Sequence, residues 1–353
     1  MTNRDSMSTN KPPSTSQSTV SPGKRTATGD VKGYLESEQI QARLVLINQA
    51  ILEYLQNIKG EPEVLYKAAH HLIIAGGKRL RSLLTLLSCE AVGGSIDKVL
   101  PFTVAVELLQ TASLIHDDII DKDELRRDVP TVHKKFGHDL AILAGDFLIA
   151  QAFHIIGTHG SPELVANIGA GGVRMCEGEV FDLLISPSLE KEFTTKEYLK
   201  MIERKTAVFL EEAARNGSIV GEATGDQQTA LARYGTLIGI AYQLKDDILD
   251  IQVKYQEIKK TTLSDLRLKR GNYPLMFALE QCSKDQSENC LHALNTNNWN
   301  EVLIIIKQHE AIEHTMQLAQ SYANLAKAAL QGYKFKNKDL LERLAEFVVQ
   351  REF

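Results

Sequence analysis

The chain has 353 residues, 43% of them hydrophobic, with 40 Lys and Arg against 45 Asp and Glu and a net charge of −5. That length can bury a large core in one big domain or two ordinary ones, and the acidic balance excludes a basic field for nucleic acid or anionic lipid. The four cysteines, Cys89, Cys176, Cys282 and Cys290, show no CxxC spacing and read as reduced thiols of a cytoplasmic protein.

Residues 1 to 30 are rich in Ser, Thr, Asn and Pro and too poor in large apolar groups to order themselves, so a disordered tail is expected. The missing apolar stretch excludes a secretory signal. An organelle transit peptide stays open but is disfavoured, because no amphipathic Arg-rich pattern appears. From about residue 36 strand signals are scarce and helical periodicity dominates, as in ARLVLINQAILEYL, FTVAVELLQTASLIH and LAILAGDFLIAQAFHII. Pro62, Pro101, Pro130, Pro162, Pro187 and Pro274 fall mostly between such runs and suit helix boundaries. Charged residues interrupt every apolar run before it reaches a membrane span. The expectation is an all-α protein: a single large helical bundle over residues 31 to 353, with a central cavity.

Along that bundle, IIAGGKRLRSLL places Gly76, Gly77, Lys78, Arg79 and Arg81 before a helix. Paired glycines allow close backbone approach, and cations at a helix start suit an anion; a solvated helix start explains the same residues. Next, LIHDDIIDKDELRRDVPTVH ends an apolar helix in Asp117, Asp118 and Asp121. Spacings of three and four put the three carboxylates on one face, where they repel one another. A hard divalent cation relieves that repulsion, and magnesium binds through one or two carboxylates plus substrate phosphates. The neighbouring Arg126 and Arg127 suit phosphate oxygens, so the stretch reads as a diphosphate site. In KTAVFLEEAA, Lys205 and Thr206 sit within an apolar helix. They read either as a snorkelling lysine with a back-bonded threonine or as a phosphate contact and an oxygen for a cation. GIAYQLKDDILDI then repeats the acidic spacing with Asp246, Asp247 and Asp250, and Gln243 lies one turn earlier. One such cluster is an acidic helix end; two, each closing an apolar helix, favour the metal reading. The polar, basic KKTTLSDLRLKRGNYPL that follows folds over a diphosphate or is a simple connection.

Together GGKRLR, LIHDDIIDKDELRRDVPTVH, LAGDFLIAQAF, KTAVFLEEAA and YQLKDDILD, in this order, resemble the trans-isoprenyl diphosphate synthases (polyprenyl synthetases) over nearly everything from residue 36 onward. The resemblance implies a magnesium-dependent prenyltransferase with three ions per site. It would condense isopentenyl diphosphate with an allylic diphosphate into an all-trans product of geranylgeranyl length or longer. It further implies that Asp117 and Asp121 bind magnesium with Asp118 in support, and that Asp246 holds a further ion with Asp247 and Asp250 nearby. Arg126, Lys205 and Lys260 would contact the allylic diphosphate. Lys78, Arg81 and Arg127 would clasp isopentenyl diphosphate, with Gln110 where many relatives have His. Thr206 and Gln243 would face the cationic end of the allylic chain. A cytoplasmic homodimer without an integral membrane segment is also implied.

The sequence departs from the family pattern at Asp128, where RRGxPT has Gly, in the loop from Lys259, which lacks Gly-Pro, and at Arg270, where many relatives carry a lysine. Ala112 and Ser113, one turn before Asp117, are small where short-chain relatives often place an aromatic floor. The pocket would then continue past Leu109 towards Phe153, with Phe147 and Phe153 the alternative floors. A class I terpene cyclase is disfavoured because its second metal motif differs and it needs no second diphosphate site. A non-catalytic synthase subunit is disfavoured because both aspartate clusters are present.

Overall fold

In the computed structural model, residues 33–185, 194–252, 263–268 and 270–352 are described. The tail expected over residues 1–30 and the role foreseen for Lys260 lie outside them. The first half runs α1 (Glu38–Asn57), α2 (Glu63–Ile74), α3 (Leu80–Ala91), α4 (Ile96–Asp121), a short hairpin of β1 (Leu125–Arg126) and β2 (Val129–Pro130), then α5 (Val132–Phe136), α6 (His138–His159) and α7 (Pro162–Leu184). The second half runs α8 (Thr195–Ile202), a π-helical turn (Glu203–Ala207), α9 (Val208–Val220), α10 (Gly225–Ile251), α11 (Ser264–Arg267), α12 (Tyr273–Gln281), α13 (Lys284–Asn295), α14 (Trp299–Gln308), α15 (Ala311–Ala329) and α16 (Lys338–Gln350). The fold is all-α, as the periodicity predicts.

Local chemistry sets the ends of these helices. Thr194 with Glu197, Thr224 with Gln227 and Ser283 with Gln286 form reciprocal capping boxes that start α8, α10 and α13. Lys122 turns into the left-handed region and stops α4 directly after Asp121. Prolines mark helix starts at Pro62, Pro162 and Pro274. Pro101 departs from the boundary expectation and lies inside α4, where its ring removes a backbone donor near the helix start.

Packing joins α4 to α6, α3 to α9, and α10 to both α9 and α15. The main apolar core fills these seams, and a smaller cluster forms among α12, α13 and α14. One expectation needs correcting: α4 and α6 are each long and apolar enough to cross a membrane, because the few charged residues inside them, Glu107 in α4 and Asp146 in α6, are outweighed by the apolar residues around them. Their apolar surface instead meets across the α4–α6 seam, and 61% of the apolar window of α4 is buried.

Candidate active site

The first acidic cluster stands at the C-terminal end of α4, where the helix dipole already contributes negative charge. The helix phase sorts its members. Asp117 and Asp121 are half-buried, whereas Asp118 is wholly buried, so the expectation that three carboxylates share one face is corrected to a pair. Adjacent residues on a helix diverge by about 100°, which turns Asp118 inward. There its Oδ1 accepts from Arg126 Nε, and its Oδ2 is buried without a hydrogen-bond partner among the described residues. Burial, reinforced by Glu179 and Asp121, pushes the Asp117 carboxyl up to about 7 against the pull of Lys205. Burial likewise lifts Asp118 to about 6 and raises Asp121 despite the adjacent Arg270.

Arg126 ends β1, and Arg127 and Asp128 form the two-residue turn of the hairpin, both at positive φ, 54° and 62°. Such a turn demands left-handed backbone at both central residues, a conformation that glycine adopts more readily than Asp128 does. The turn sends Arg127 back to donate from Nη1 to the Leu72 carbonyl at 2.8 Å. Its guanidinium lies where a side chain on Gly77 would fall, so this glycine is favoured by its backbone (φ +144°), and a side chain there would displace Arg127.

Opposite α4, the π-helical turn carries Lys205 and Thr206; one extra residue per turn re-aims side chains, a device frequent at functional sites. Lys205 Nζ meets Asp182 at 2.6 Å and Glu179 at 2.9 Å, both from α7. These carboxylates and Asp117 overcome its desolvation and hold the lysine charged. Gly178 admits the approach, because a side chain there would collide with the Lys205 backbone. Arg270 bridges the two helices, pairing with Asp121 of α4 and, at 3.1 Å, with Asp182 of α7. Glu179 and Asp182 escaped the sequence reading; the only available signal was a pair of acids three apart in GEVFD.

The second cluster stands near the C-terminal end of α10. Asp247, like Asp118, turns inward and is buried. Its Oδ2 accepts from Tyr198 Oη at 2.7 Å and the Tyr273 backbone at 3.1 Å, and its Oδ1 accepts from Gln243 Nε2 at 3.0 Å. Burial outweighs these bonds and lifts its carboxyl to about 7. Gln243 also accepts from Thr206 Oγ1 at 2.9 Å. The π-helical turn thus acts on Asp117 electrostatically through Lys205 and reaches Asp247 through the Thr206–Gln243 hydrogen bond. Asp246 is 39% exposed and pairs with Arg351 at 2.8 Å, while Asp250 is half-buried and its carbonyl accepts from Leu263 at 3.2 Å.

Beside Asp246 stand the cations of α3 and the turn before it. Burial lowers the pKa of Lys78, helped by the charge of Arg351 and opposed by Asp246. Arg81 lies 5.1 Å from the Phe209 ring centroid, and its Nε is buried without a hydrogen-bond partner among the described residues, as are Gln110 Oε1 and Glu179 Oε1. Arg79 differs from its neighbours: its Nη1 pairs with buried Glu107 at 2.6 Å, and its Nη2 donates to the Ile73 carbonyl at 2.8 Å. Below the first cluster, Ala112 is buried, Leu109 is half-buried and Ser113 donates to the Gln110 carbonyl at 2.9 Å. Phe147 packs edge-on against Tyr66 at 4.9 Å, while Phe153 is 37% exposed.

Among the described residues no three acidic, histidine or cysteine side chains converge as a ready metal cage. Asp121 is paired with Arg270 and Asp246 with Arg351 instead, while Lys205 is held by Asp182 and Glu179. The donor set nevertheless fits a hard divalent cation: it is all oxygen, it sits at two helix C-termini, and burial has raised the first cluster's pKa values.

The polyprenyl synthetase family model matches residues 62–309. A short chain isoprenyl diphosphate synthase of Methanothermobacter thermautotrophicus is 35% identical, covering 87% of this chain and 96% of its own. The crystal structure of geranylgeranyl pyrophosphate synthetase from Pyrococcus horikoshii superposes with a TM-score of 0.81 at 32% identity, over 91% of this chain and 99% of that one. A polyprenyl synthase from Caulobacter crescentus, solved with calcium and isoprenyl diphosphate, gives 0.82 at 29% identity, over 93% and 100%.

Proposed function

This chain belongs to the polyprenyl synthetase family, and we propose that it extends an allylic diphosphate with isopentenyl diphosphate to an all-trans prenyl diphosphate of geranylgeranyl length or longer. It is a trans-prenyltransferase. One observation carries the assignment of substrates: two acidic clusters meet two separate sets of cations. Lys205, Arg126 and Arg270 attend the first, and Lys78 and Arg81 stand by the second. Two sets of cations suit two diphosphates.

Asp117 and Asp121 of α4 and Asp246 of α10 would hold magnesium, three ions by family expectation. Bound there, magnesium would offset charge on the departing diphosphate as the allylic C–O bond ionises. Asp118 and Asp247 act inward, keeping Arg126 and Gln243 in place. Lys205 and Arg126 bind the allylic diphosphate, with Arg270 and Lys260 beside them. Lys78, Arg81, Arg127 and Gln110 bind isopentenyl diphosphate. Thr206 and Gln243 direct their dipoles at the allylic cation. The double bond of isopentenyl diphosphate attacks that cation, and the released diphosphate takes the proton lost from the new chain. No protein base is needed, which accords with the lack of a nucleophile–base pair in the sequence. Closure of the site keeps water from the cation.

Product length follows from Ala112 and Ser113, which are too small to form a floor beneath Asp117. Cytoplasmic location and homodimerisation belong to the same proposal. Ile142, Leu143 and Phe153 of α6 and Val173 and Val180 of α7 are exposed and would be covered by a second copy. The test is a product assay with labelled isopentenyl diphosphate, magnesium and, in turn, dimethylallyl, geranyl, farnesyl and geranylgeranyl primers. Products of geranylgeranyl length or longer are expected. Arrest at farnesyl length would contradict the open pocket, and no elongation from any primer would overturn the synthase assignment.

A further inference from the structure

Arg351 lies near the C-terminal end of the chain, yet its side chain is among the most enclosed charges of the described residues. Its position is built by α16, whose apolar face packs on α15, α10 and α3. Two buried tyrosines pin the start of that helix: Tyr34 donates to the Leu340 carbonyl at 3.0 Å, and Tyr234 donates to the Leu341 carbonyl at 2.6 Å. The helix end therefore arrives in one place, and the residue after it enters the interior at 5% exposure.

There the guanidinium is held on several sides. Nε donates to the Val348 carbonyl at 3.1 Å, and Nη2 donates to the Tyr242 carbonyl at 2.8 Å. The plane lies over the Tyr242 ring, 3.8 Å from its centroid. The same Nη2 lies 2.8 Å from Asp246 Oδ1. Tyr242 and Asp246 are four residues apart and share one face of α10, so one planar cation fixes both. A planar guanidinium already held by two carbonyls and a ring offers its Nη2 to the carboxylate from one direction, which a rotating lysine ammonium does not.

We propose that Arg351 is a positioning residue for Asp246. It clamps the carboxylate against the Tyr242 ring so that the second acidic cluster presents one oxygen geometry to its cation and diphosphate. This rests on the role proposed above for Asp246. A side chain more than a hundred residues away in sequence thereby completes the α10 site, and Lys78 and Arg81 share the field of the same carboxylate.

The test is a double-mutant cycle on the full chain with Arg351→Ala, Asp246→Asn and their combination. Turnover, KM for each substrate, and calorimetric binding of magnesium with inorganic diphosphate would be measured, and melting would be followed in parallel. Misplacing a reacting geometry by about 1 Å costs on the order of 10²-fold. Arg351→Ala should therefore lower kcat by about that factor, with weakened diphosphate binding. In the Asp246→Asn background the same substitution should have little further effect on either quantity. Arg351→Lys keeps the charge without the fork, should fall between wild type and alanine, and serves if the alanine variant does not fold. Multiplying effects, or unchanged kcat and binding in a folded Arg351 variant, would overturn the positioning role. An Asp246→Asn variant with normal turnover and diphosphate binding would instead overturn the assignment of Asp246 itself.

Discussion

The two aspartate clusters share one sequence spacing and stand in different surroundings. At the end of α4, buried Asp118 leaves one oxygen unpartnered among the described residues, and half-buried Asp121 is matched by Arg270. On α10, buried Asp247 accepts three hydrogen bonds, and partly exposed Asp246 is matched by Arg351. In both, the inner residue of the motif belongs to the core and the outer residues face the charged site. On the proposed reading the motif combines two functions: its second aspartate anchors a neighbouring side chain, and its flanking aspartates would supply oxygens to a cation. The first cluster also feels α7, whose Glu179 adds to the rise at Asp117 and Asp121 while Lys205 opposes it.

The division of labour can be broken most visibly at the outer positions. Asp117→Ala and Asp121→Ala should each lower kcat by about 10²- to 10³-fold, as expected for losing charge stabilisation aimed at a reacting group. Their folds should remain intact, checked by steady-state kinetics and far-UV circular dichroism. The inner positions should behave oppositely. Asp247→Ala strips partners from Tyr198, Gln243 and the Tyr273 backbone and should cost about 2–3 kcal/mol of stability. Asp118→Ala removes an acid with one unsatisfied oxygen and should cost about 1 kcal/mol. Urea denaturation of the two variants decides whether that order holds.

Acidity separates the clusters further. Asp117 has a folded pKa of about 7, above the ordinary carboxylate value of 3.8, so its ionised form costs stability above pH 7. That cost is relieved as pH falls from about 7 towards 4. Without divalent cations the melting temperature should rise on going from about pH 8 to about pH 5, and Asp117→Asn should remove part of the rise. Magnesium at high pH should recover the share due to Asp117. It should leave most of the share due to Asp247, whose pKa of about 7 comes chiefly from burial, against its hydrogen bonds and with a smaller push from Asp246. The smallest effect concerns the hairpin after the first cluster. Asp128→Gly removes an L side chain at φ 62° and should stabilise the turn by about 0.5 kcal/mol, read as a shift in the urea midpoint.

Much of this arrangement was legible before any coordinates. The apolar periodicity of α4 and α10 predicts long helices, and an acidic triplet closing each predicts a cation site. Lys205 and Thr206 stood out because a charged and a polar residue interrupt an apolar stripe. Other features left no such mark. Glu179 and Asp182 look like any exposed acids on a helix until Gly178 lets α7 approach the Lys205 backbone. Arg351 sits in a polar chain end, and only the docking of α16 brings it to Asp246. The inward turn of Asp118 and Asp247 follows from helix phase, but only packing decides which side of the motif is the core. Pro101 departs from the boundary rule, since it is past the first turn of α4 and its ring leaves one backbone acceptor without its helical donor.

The most direct measurement is a calorimetric titration of magnesium with inorganic diphosphate into Asp246→Ala and Asp247→Ala, both well below their melting temperatures. Loss of binding in Asp246→Ala with binding kept in Asp247→Ala is the predicted result. Equal loss in both, or loss in Asp247→Ala alone, would contradict the division between outer ligands and inner anchors.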